Sequence, residues 1–275
     1  MSIKETKSVN VKIEERGAMM ELKDFIPIPK LEECKSLLCI QPHPDDNEIG
    51  AGATIASLAA KGCRVVYLTV TNGNMGSMDP GESLWETAEK RRKEALDAAG
   101  LLGVAECIFL DHDDGSFMDA KKLCRDITAV IRKVRPDMVM TADPCLPYEF
   151  HPDHLSVGIA AAQACIFSPF PHFDTKGCAG LDSGEEAVPF QVKGIAFYST
   201  AFPNTFINVD GTWELKLKAI EAHKSQFDPA SLETLKLYFD FKARSYAAGL
   251  GFERAEAFKV LTASHLHMNV DTIRL

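Results

Sequence analysis

A histidine and several carboxylates crowd one short turn near residue 45. The segment Pro42-His43-Pro44-Asp45-Asp46-Asn47-Glu48 follows the apolar run 36–40 and precedes a stretch rich in glycine and alanine. Neutral turn-forming residues would close such a turn equally well, so the ionisable side chains require a chemical explanation. An imidazole and carboxylates held close together suit a metal ion with a general base beside it.

A second cluster, His151-Pro152-Asp153-His154, lies about a hundred residues further along the chain. Pro152 suits the first turn of a helix, where its missing N–H is not needed. His151 and His154 are three residues apart and would share one face of that helix. Taken alone, the pattern favours one core histidine and one surface histidine. The first cluster is what favours a common metal site.

Alternating strand and helix patterns dominate the first two thirds of the chain. Short β-branched or apolar runs predict strands at 36–41, 64–71, 107–110 and 137–141. Apolar residues at helical spacing predict helices at 49–60, 82–102, 120–134 and 154–167. Beyond a long loop at 168–190, we expect strands at 194–199, 205–209 and 257–261 and helices at 211–227 and 230–248. This order predicts an α/β fold, a Rossmann-like open and mostly parallel sheet with helices on both faces.

The two clusters each follow a predicted strand of that sheet. In open parallel sheets, ligands bind beyond the carboxyl ends of the strands. We therefore expect both clusters to face one crevice.

Two other interpretations compete for the first cluster. Gly50-Ala51-Gly52 resembles a dinucleotide-binding loop, but Ile55 stands where the third glycine belongs, and the neighbouring carboxylates would repel a pyrophosphate. Alternatively, one aspartate could simply cap the following helix. Capping explains one carboxylate but not the second carboxylate or the histidine.

Length and composition bound the remaining possibilities. A chain of 275 residues, 46% hydrophobic, suits a single domain at 31–275, and we interpret 1–30 as an N-terminal arm or tail. The net charge of −9 argues against nucleic acid and against anionic membranes as partners. The eight scattered cysteines form no CxxC pair, and 1–30 lacks the apolar core of a signal peptide. We expect reduced cysteines and a cytoplasmic protein.

Five motifs together resemble the LmbE-like, or PIG-L, superfamily of zinc-dependent N-acetylglucosamine deacetylases. They are PHPDD at 42–46, TxGxMG at 71–76, RRKE at 91–94, HPDH at 151–154 and HKSQF at 223–227. Their order and spacing extend over almost the whole chain from Cys34. Within the superfamily, residues 143–154 and 214–220 are most similar to archaeal diacetylchitobiose deacetylases.

The resemblance implies the roles of particular residues. It assigns His43, Asp46 and His154 to Zn²⁺ and makes Asp45 the general base, with His151 stabilising the oxyanion. Arg91, ahead of Arg92, falls where the family has a substrate-contacting arginine. His267 falls where the chitobiose deacetylases carry a late histidine near the site. The family also implies a homo-oligomer, a trimer or a hexamer.

The expected reaction removes the acetyl group from an N-acetylglucosamine unit of a small amino sugar, such as diacetylchitobiose. From its position alone, Asp153 is a candidate to hold His151 charged and oriented. Asn47 departs from the glutamate that many members carry after the aspartate pair, which affects fine positioning. The alternatives are a deacetylase or amidase of a thiol-sugar conjugate, and a non-catalytic sugar- or nucleotide-binding module. The sequence leaves the roles of His112, His223 and His265 open.

Overall fold

One mixed sheet organises the computed structural model, which describes residues 22–181, 187–268 and 270–275. Within these residues the strand order is β3-β2-β1-β4-β5-β7-β6. The strands are β1 (Ser36–Gln41), β2 (Arg64–Thr71), β3 (Glu106–His112), β4 (Met138–Ala142), β5 (Gly194–Tyr198), β6 (Thr205–Asn208) and β7 (Ala255–Leu261). The first five strands are parallel, and β7 runs antiparallel to both β5 and β6. The predicted α/β fold class is therefore confirmed.

Helices cover both faces of the sheet. They are α1 (Leu22–Phe25), α2 (Asp46–Ala60), α3 (Leu84–Leu102), α4 (Ala120–Val134), α5 (Pro152–Phe167), α6 (Trp213–Ala222), α7 (Pro229–Ala247) and α8 (Ala263–His267). The apolar residues of α2, α3, α6 and α7 pack in one core cluster. Those of α4 and α5 form a second cluster on the opposite face. The largely buried β1, β2 and β4 lie between the two clusters, which explains their nearly continuous apolar sequences.

Local sequence signals set the ends of several helices. Ser83 and Glu86 form a reciprocal capping box at the start of α3, and Gly103 ends that helix in the left-handed conformation at φ 77°. Asp119 caps α4 by accepting a hydrogen bond from the backbone N–H of Lys122. These caps satisfy backbone groups that have no partner within the helix.

The chain reverses its direction of travel across the sheet between β3 and β4. It builds outward from β1 to β3, then returns to place β4 on the other side of β1. Between β1 and β4 the connections leave in opposite directions, which opens a crevice at the carboxyl ends of those strands. The HPDD turn follows β1 and the HPDH segment follows β4, so both clusters lie at this crevice.

Most predicted element bounds lie close to the observed ones, with a few informative differences. The predicted helix at 211–227 is shorter and ends at Ala222, and a short helix at Ala263–His267 was not predicted. Residues 1–21 of the proposed arm lie outside the described residues. Leu31 is fully buried, and the domain boundary at residue 31 remains a prediction.

None of the eight cysteines forms a disulfide bond, and only Cys145 is exposed. Among the helices in the described part of the chain, none has the length and apolarity needed to cross a membrane.

Gly158 sets how closely α5, the helix that carries His154, can approach the end of β4. A Cβ atom at residue 158 would lie 2.8 Å from the carbonyl oxygen of Ala142 and 2.9 Å from Cδ of Pro144. Gly100, in α3, has no such neighbour within 4 Å. Both glycines are helical, so replacing either by alanine gains the same helix propensity.

We expect Gly100→Ala to raise the free energy of unfolding by about 0.5–1 kcal/mol, because the helix gains alanine propensity. Gly158→Ala should instead lower it by about 1–3 kcal/mol, since the new methyl group overpacks against backbone. Urea denaturation of both variants measures this difference. Equal stabilisation by the two substitutions would contradict the close approach of α5 to β4.

Candidate metal centre and catalytic site

The HPDD turn is held by buried polar contacts to its own strand and to the neighbouring one. The side chain of Gln41 donates to Thr69 Oγ1 (2.9 Å) and accepts the backbone N–H of Asn47 (3.0 Å). The hydroxyl of Thr71 donates to the carbonyl oxygen of Pro42 (2.9 Å). Asp45 itself has φ 141°, a conformation that L-residues rarely adopt. Such strain persists only where the surroundings over-determine the backbone, as these contacts do.

His43 lies among three carboxylates. Its Nδ1 is 3.2 Å from Oδ2 of Asp46, and its Nε2 is 3.2 Å from Oδ1 of Asp114 and 3.2 Å from Oδ2 of Asp153. Asp153 is fully buried and also accepts the backbone N–H of Gly115 (2.8 Å). The ring is therefore fixed from both nitrogens.

His154 repeats this arrangement from the other side of the crevice. Its Nε2 is 3.3 Å from Oδ1 of Asp46, and its Nδ1 is 3.1 Å from Oε2 of Glu149. The two oxygens of Asp46 thus reach one nitrogen of each histidine. Each histidine turns its other nitrogen toward an outer carboxylate, the arrangement that orients and strengthens imidazole ligands of metals.

His151 completes the cluster. Its ring centroid is 4.5 Å from that of His43 and 5.0 Å from that of His154. Its Nδ1 accepts the backbone N–H of Asp153 (3.3 Å), which leaves Nε2 as the donor in the neutral ring. The side chain of Asp153, predicted to orient His151, contacts His43 instead.

The carboxylates strongly favour positive charge at this position. Burial opposes protonation of His43, but hydrogen bonds to Asp114, Asp153 and Asp46 outweigh it and raise its pKa to about 12. Burial likewise opposes protonation of His154, and Asp46 raises its pKa to about 9. A divalent cation would displace those protons and satisfy the same carboxylates.

The residues therefore fit a metal ion, and three ligand sets compete. One ring nitrogen from each of His43, His151 and His154 lies within 4.8 Å of the others, and so do ligand atoms of His43, Asp114, His151 and Asp153. The predicted set of His43, Asp46 and His154 joins two imidazoles and one carboxylate, a donor set typical of catalytic zinc. The outer carboxylates behind both histidines favour this predicted set.

Asp45 stands beside the cluster without contacting either histidine of the predicted set. Its Oδ2 accepts a hydrogen bond from Nη2 of Arg91 (3.1 Å). The guanidinium of Arg91 is buried and also donates to the carbonyl oxygens of Pro44 (3.0 Å) and Gly73 (3.1 Å). Burial and the charge of Asp46 raise the pKa of Asp45 to about 6, while Arg91 opposes the shift. A carboxyl group that is held but not ligated suits proton transfer.

The three residues predicted to contact the substrate have different surroundings, and their substrate contacts remain predictions. Arg91 is buried and binds the HPDD turn, so it also positions that turn. Arg92 is partly exposed, and its Nη1 donates to Oδ1 of Asp111 (2.8 Å). His267 is exposed and lines a separate cavity of about 580 Å³ between α5 and α8.

Sequence reasoning missed two outer carboxylates. Asp114 lies in the acidic run 111–114, and Glu149 lies in the Pro-rich loop before His151. Asp114 follows β3, another parallel strand, so the strand-end rule that located the other clusters could have found it. Glu149 had no comparable signal.

The three unassigned histidines have separate surroundings. His223 is fully buried, with Nε2 3.4 Å from Oε2 of the equally buried Glu48. His265 caps α8, where its Nδ1 accepts the backbone N–H of Thr262 (3.0 Å). His112 ends β3, and its Nε2 is buried without a hydrogen-bond partner among the described residues.

Comparison with known proteins finds several relatives. The profile of the PIG-L family, GlcNAc-PI de-N-acetylase, matches residues 38–165. Diacetylchitobiose deacetylase of Thermococcus kodakarensis is 36% identical over 253 residues, 92% of each chain. The structure of N,N'-diacetylchitobiose deacetylase from Pyrococcus horikoshii superposes with a TM-score of 0.77 at 36% identity, covering 88% of this chain and 89% of that one. The 1D-myo-inositol 2-acetamido-2-deoxy-alpha-D-glucopyranoside deacetylase of Kineococcus radiotolerans is 30% identical over 62% of this chain and 53% of its own.

We expect His43→Ala, Asp46→Asn and His154→Ala each to lower Zn²⁺ affinity by more than about 100-fold, because each removes a ligand. Glu149→Gln should lower it by about 10–100-fold, the usual effect of an outer-shell partner. Asp45→Asn and His151→Ala should retain the metal. Calorimetric titration of the chelator-stripped protein measures these affinities, with circular dichroism to confirm folding.

The same series separates the competing ligand sets. If His151→Ala and His154→Ala lose the metal while Asp46→Asn keeps it, the ligands are His43, His151 and His154. If His154→Ala also keeps the metal, the ligands are His43, Asp114, His151 and Asp153. If Asp45→Asn loses the metal, the assigned roles of the two adjacent aspartates are reversed.

Proposed function

This chain belongs to the PIG-L family of deacetylases, and on that premise we propose that it hydrolyses the N-acetyl group of an N-acetylglucosamine-containing sugar such as diacetylchitobiose. The products are acetate and a free amino sugar. One observation carries the proposal: Asp45 is a buried, unligated carboxyl group held by Arg91 directly beside the His43–Asp46–His154 cluster. Two of the relatives, each 36% identical and covering 92% and 88% of this chain, are diacetylchitobiose deacetylases.

The proposed cofactor is Zn²⁺, held by His43, Asp46 and His154. Two imidazole nitrogens and one carboxylate leave a fourth position open, as in catalytic zinc sites. Zinc, when bound, polarises a carbonyl oxygen and lowers the pKa of water toward about 7.

In the proposed mechanism, Asp45 transfers the protons and His151 donates a hydrogen bond. Asp45 accepts a proton from the water that attacks the acetamide carbonyl, and Arg91 keeps its carboxylate aimed at that water. His151 offers an Nε2–H donor to the carbonyl oxygen as negative charge develops on it. Burial and the nearby His43 and His154 lower the pKa of His151, so this donor works as a neutral ring. Asp45, which now carries the proton from the water, returns it to the nitrogen of the leaving amine as the C–N bond breaks.

Asp153 supports His43 in this scheme. Its carboxylate accepts from Nε2 of His43, which leaves Nδ1 free to bind the metal. The proposed role thus differs from the sequence-based hypothesis, in which Asp153 served His151.

We expect acetate release from diacetylchitobiose in the presence of zinc, with loss of activity on chelation and recovery on adding zinc back. Asp45→Asn should lower kcat by about 10²–10⁴-fold while keeping its zinc, since it removes only the proton acceptor. Enzymatic acetate assay on N-acetylglucosamine, diacetylchitobiose and a thiol-sugar conjugate measures this and ranks the substrates.

The same assay can reject the proposal. Faster release from the thiol-sugar conjugate would favour the alternative deacetylase. No acetate from any of the three substrates with zinc bound would favour a non-catalytic binding module.

Arg91 supplies a second test of the mechanism. Lysine keeps the charge but cannot span the Asp45, Pro44 and Gly73 acceptors together. We expect Arg91→Lys to lower kcat by about 100-fold, because the base is misplaced, with zinc content preserved.

Arg64→Lys is the matched control for Arg91→Lys. Arg64 pairs with Glu106 on the exposed edge of β2 and β3, away from the site. We expect its kinetics to match the wild type. A rise in KM alone for Arg91→Lys would instead support direct contact with the substrate.

We further propose that the protein is cytoplasmic and forms a homo-oligomer, a trimer or a hexamer. In support, α7 exposes the apolar side chains of Leu237, Tyr238 and Phe241 in one stretch. Exposed apolar patches of this kind mark interaction surfaces. The net charge of −9 argues against nucleic acid and anionic membranes as partners.

A further inference from the structure

A cleft of about 200 Å³ borders the catalytic turn on the side of α3 and β3. Its inner wall is Pro44, which lies between His43 and Asp45 in the chain. The remaining lining residues are Asn72, Trp85, Ala88, Glu89, Arg92, Phe109 and Asp111. We propose that this cleft binds the second pyranose ring of a disaccharide substrate, with Trp85 as its stacking platform. The inference rests on the proposed deacetylase function and specifies its substrate.

The exposure of Trp85 is the first reason to place a sugar ring in this cleft. Trp85 lies in the first turn of α3 and is 71% exposed, whereas Trp213, the other tryptophan, is 3% exposed. An exposed indole that borders a cleft offers a large apolar face that a ligand in the cleft can cover. The C–H groups on one face of a pyranose ring provide such a cover, and the indole presents both an apolar face and an N–H donor.

The polar side of the cleft is already ordered. The guanidinium of Arg92 lies 3.9 Å from the centroid of the Phe109 ring and donates to Asp111 (2.8 Å). Stacking and the ion pair together hold its planar fork in place before any ligand arrives. Glu89 and Asn72 add further acceptors and a donor. A few ordered polar groups opposite an aromatic ring are what recognition of a sugar's hydroxyl groups requires.

Continuity with the catalytic turn is the third reason. The consecutive residues Arg91 and Arg92 divide between the two places: Arg91 binds the turn and Arg92 lines the cleft. A ring joined by one glycosidic bond to the reacting sugar needs a subsite adjoining the metal centre, and Pro44 is the shared wall. Glu89 and Asp111 outnumber Arg92, so the cleft suits a neutral acetamido sugar or a cationic amino sugar rather than an anionic one.

The kinetic test compares two substrates in each variant. We expect Trp85→Ala to lower the ratio of kcat/KM for diacetylchitobiose to that for N-acetylglucosamine by about 10-fold, the loss of one good aromatic contact. Trp85→Phe should keep most of this ratio because a stacking ring remains. Phe25→Ala on α1, at an aromatic ring that is 60% exposed, is the control and should keep the wild-type ratio. A wild-type ratio in Trp85→Ala overturns the proposal.

A binding measurement tests, without any need for turnover, whether the disaccharide covers Trp85. In zinc-loaded Asp45→Asn protein, Trp85 is the only tryptophan that solvent reaches freely, so acrylamide quenching reports on it. We expect saturating diacetylchitobiose to protect this fluorescence from quenching, and N-acetylglucosamine to protect it less. Trp85→Phe in the same background should abolish the protection. Unprotected fluorescence at saturation, established by calorimetry, overturns the subsite even if acetate release confirms the deacetylase. If acetate release fails, protection by the disaccharide still supports the subsite.

Discussion

The site depends on one carboxylate, that of Asp46, which contacts the imidazole rings of two histidines at once. The oxygens of Asp46 face His43 and His154 at 3.2 and 3.3 Å, and further carboxylates back both rings. So many acidic groups in a partly buried space would repel one another unless positive charge lies between them. Protons on the histidines can supply that charge, and so can one divalent ion. The electrostatics of this crevice are thus arranged for a cation before any substrate is considered.

The rest of the fold holds these charged side chains in position. Gln41 and Thr71 tie the turn to β1 and β2, and α5 brings His154 to the end of β4, where Gly158 permits close approach. The reversal of strand order between β3 and β4 supplies the crevice itself. The outer carboxylate Asp114 comes from beyond β3, two strands away from the turn that it supports. Ligand geometry is therefore a property of the whole parallel half of the sheet.

Much of this could be predicted from sequence because the signals were local. The bounds of β1, β2 and α4 match the periodicity, and the strand-end rule placed both metal-binding motifs at one crevice. Individual side-chain contacts between distant segments could not be predicted. The hydrogen bond from Arg91 to Asp45 and the contact of Asp153 with His43, rather than with His151, are examples. Side-chain direction depends on packing across elements, and spacing along the chain does not encode it. The antiparallel pairing of β7 with β5 and β6 could not be predicted for the same reason, because only the tertiary structure brings these strands together.

The backbone of Asp45 has an evolutionary consequence. At φ 141° an aspartate bears strain of order 1–3 kcal/mol that a glycine would largely relieve. A search for thermostable variants guided by folding alone would therefore favour glycine at this position and remove the proposed proton acceptor. Selection for turnover and selection for folding pull this residue in opposite directions, the stability–activity trade-off known from other enzymes. Persistence of aspartate here along a lineage would thus be a record of catalytic use rather than of architecture.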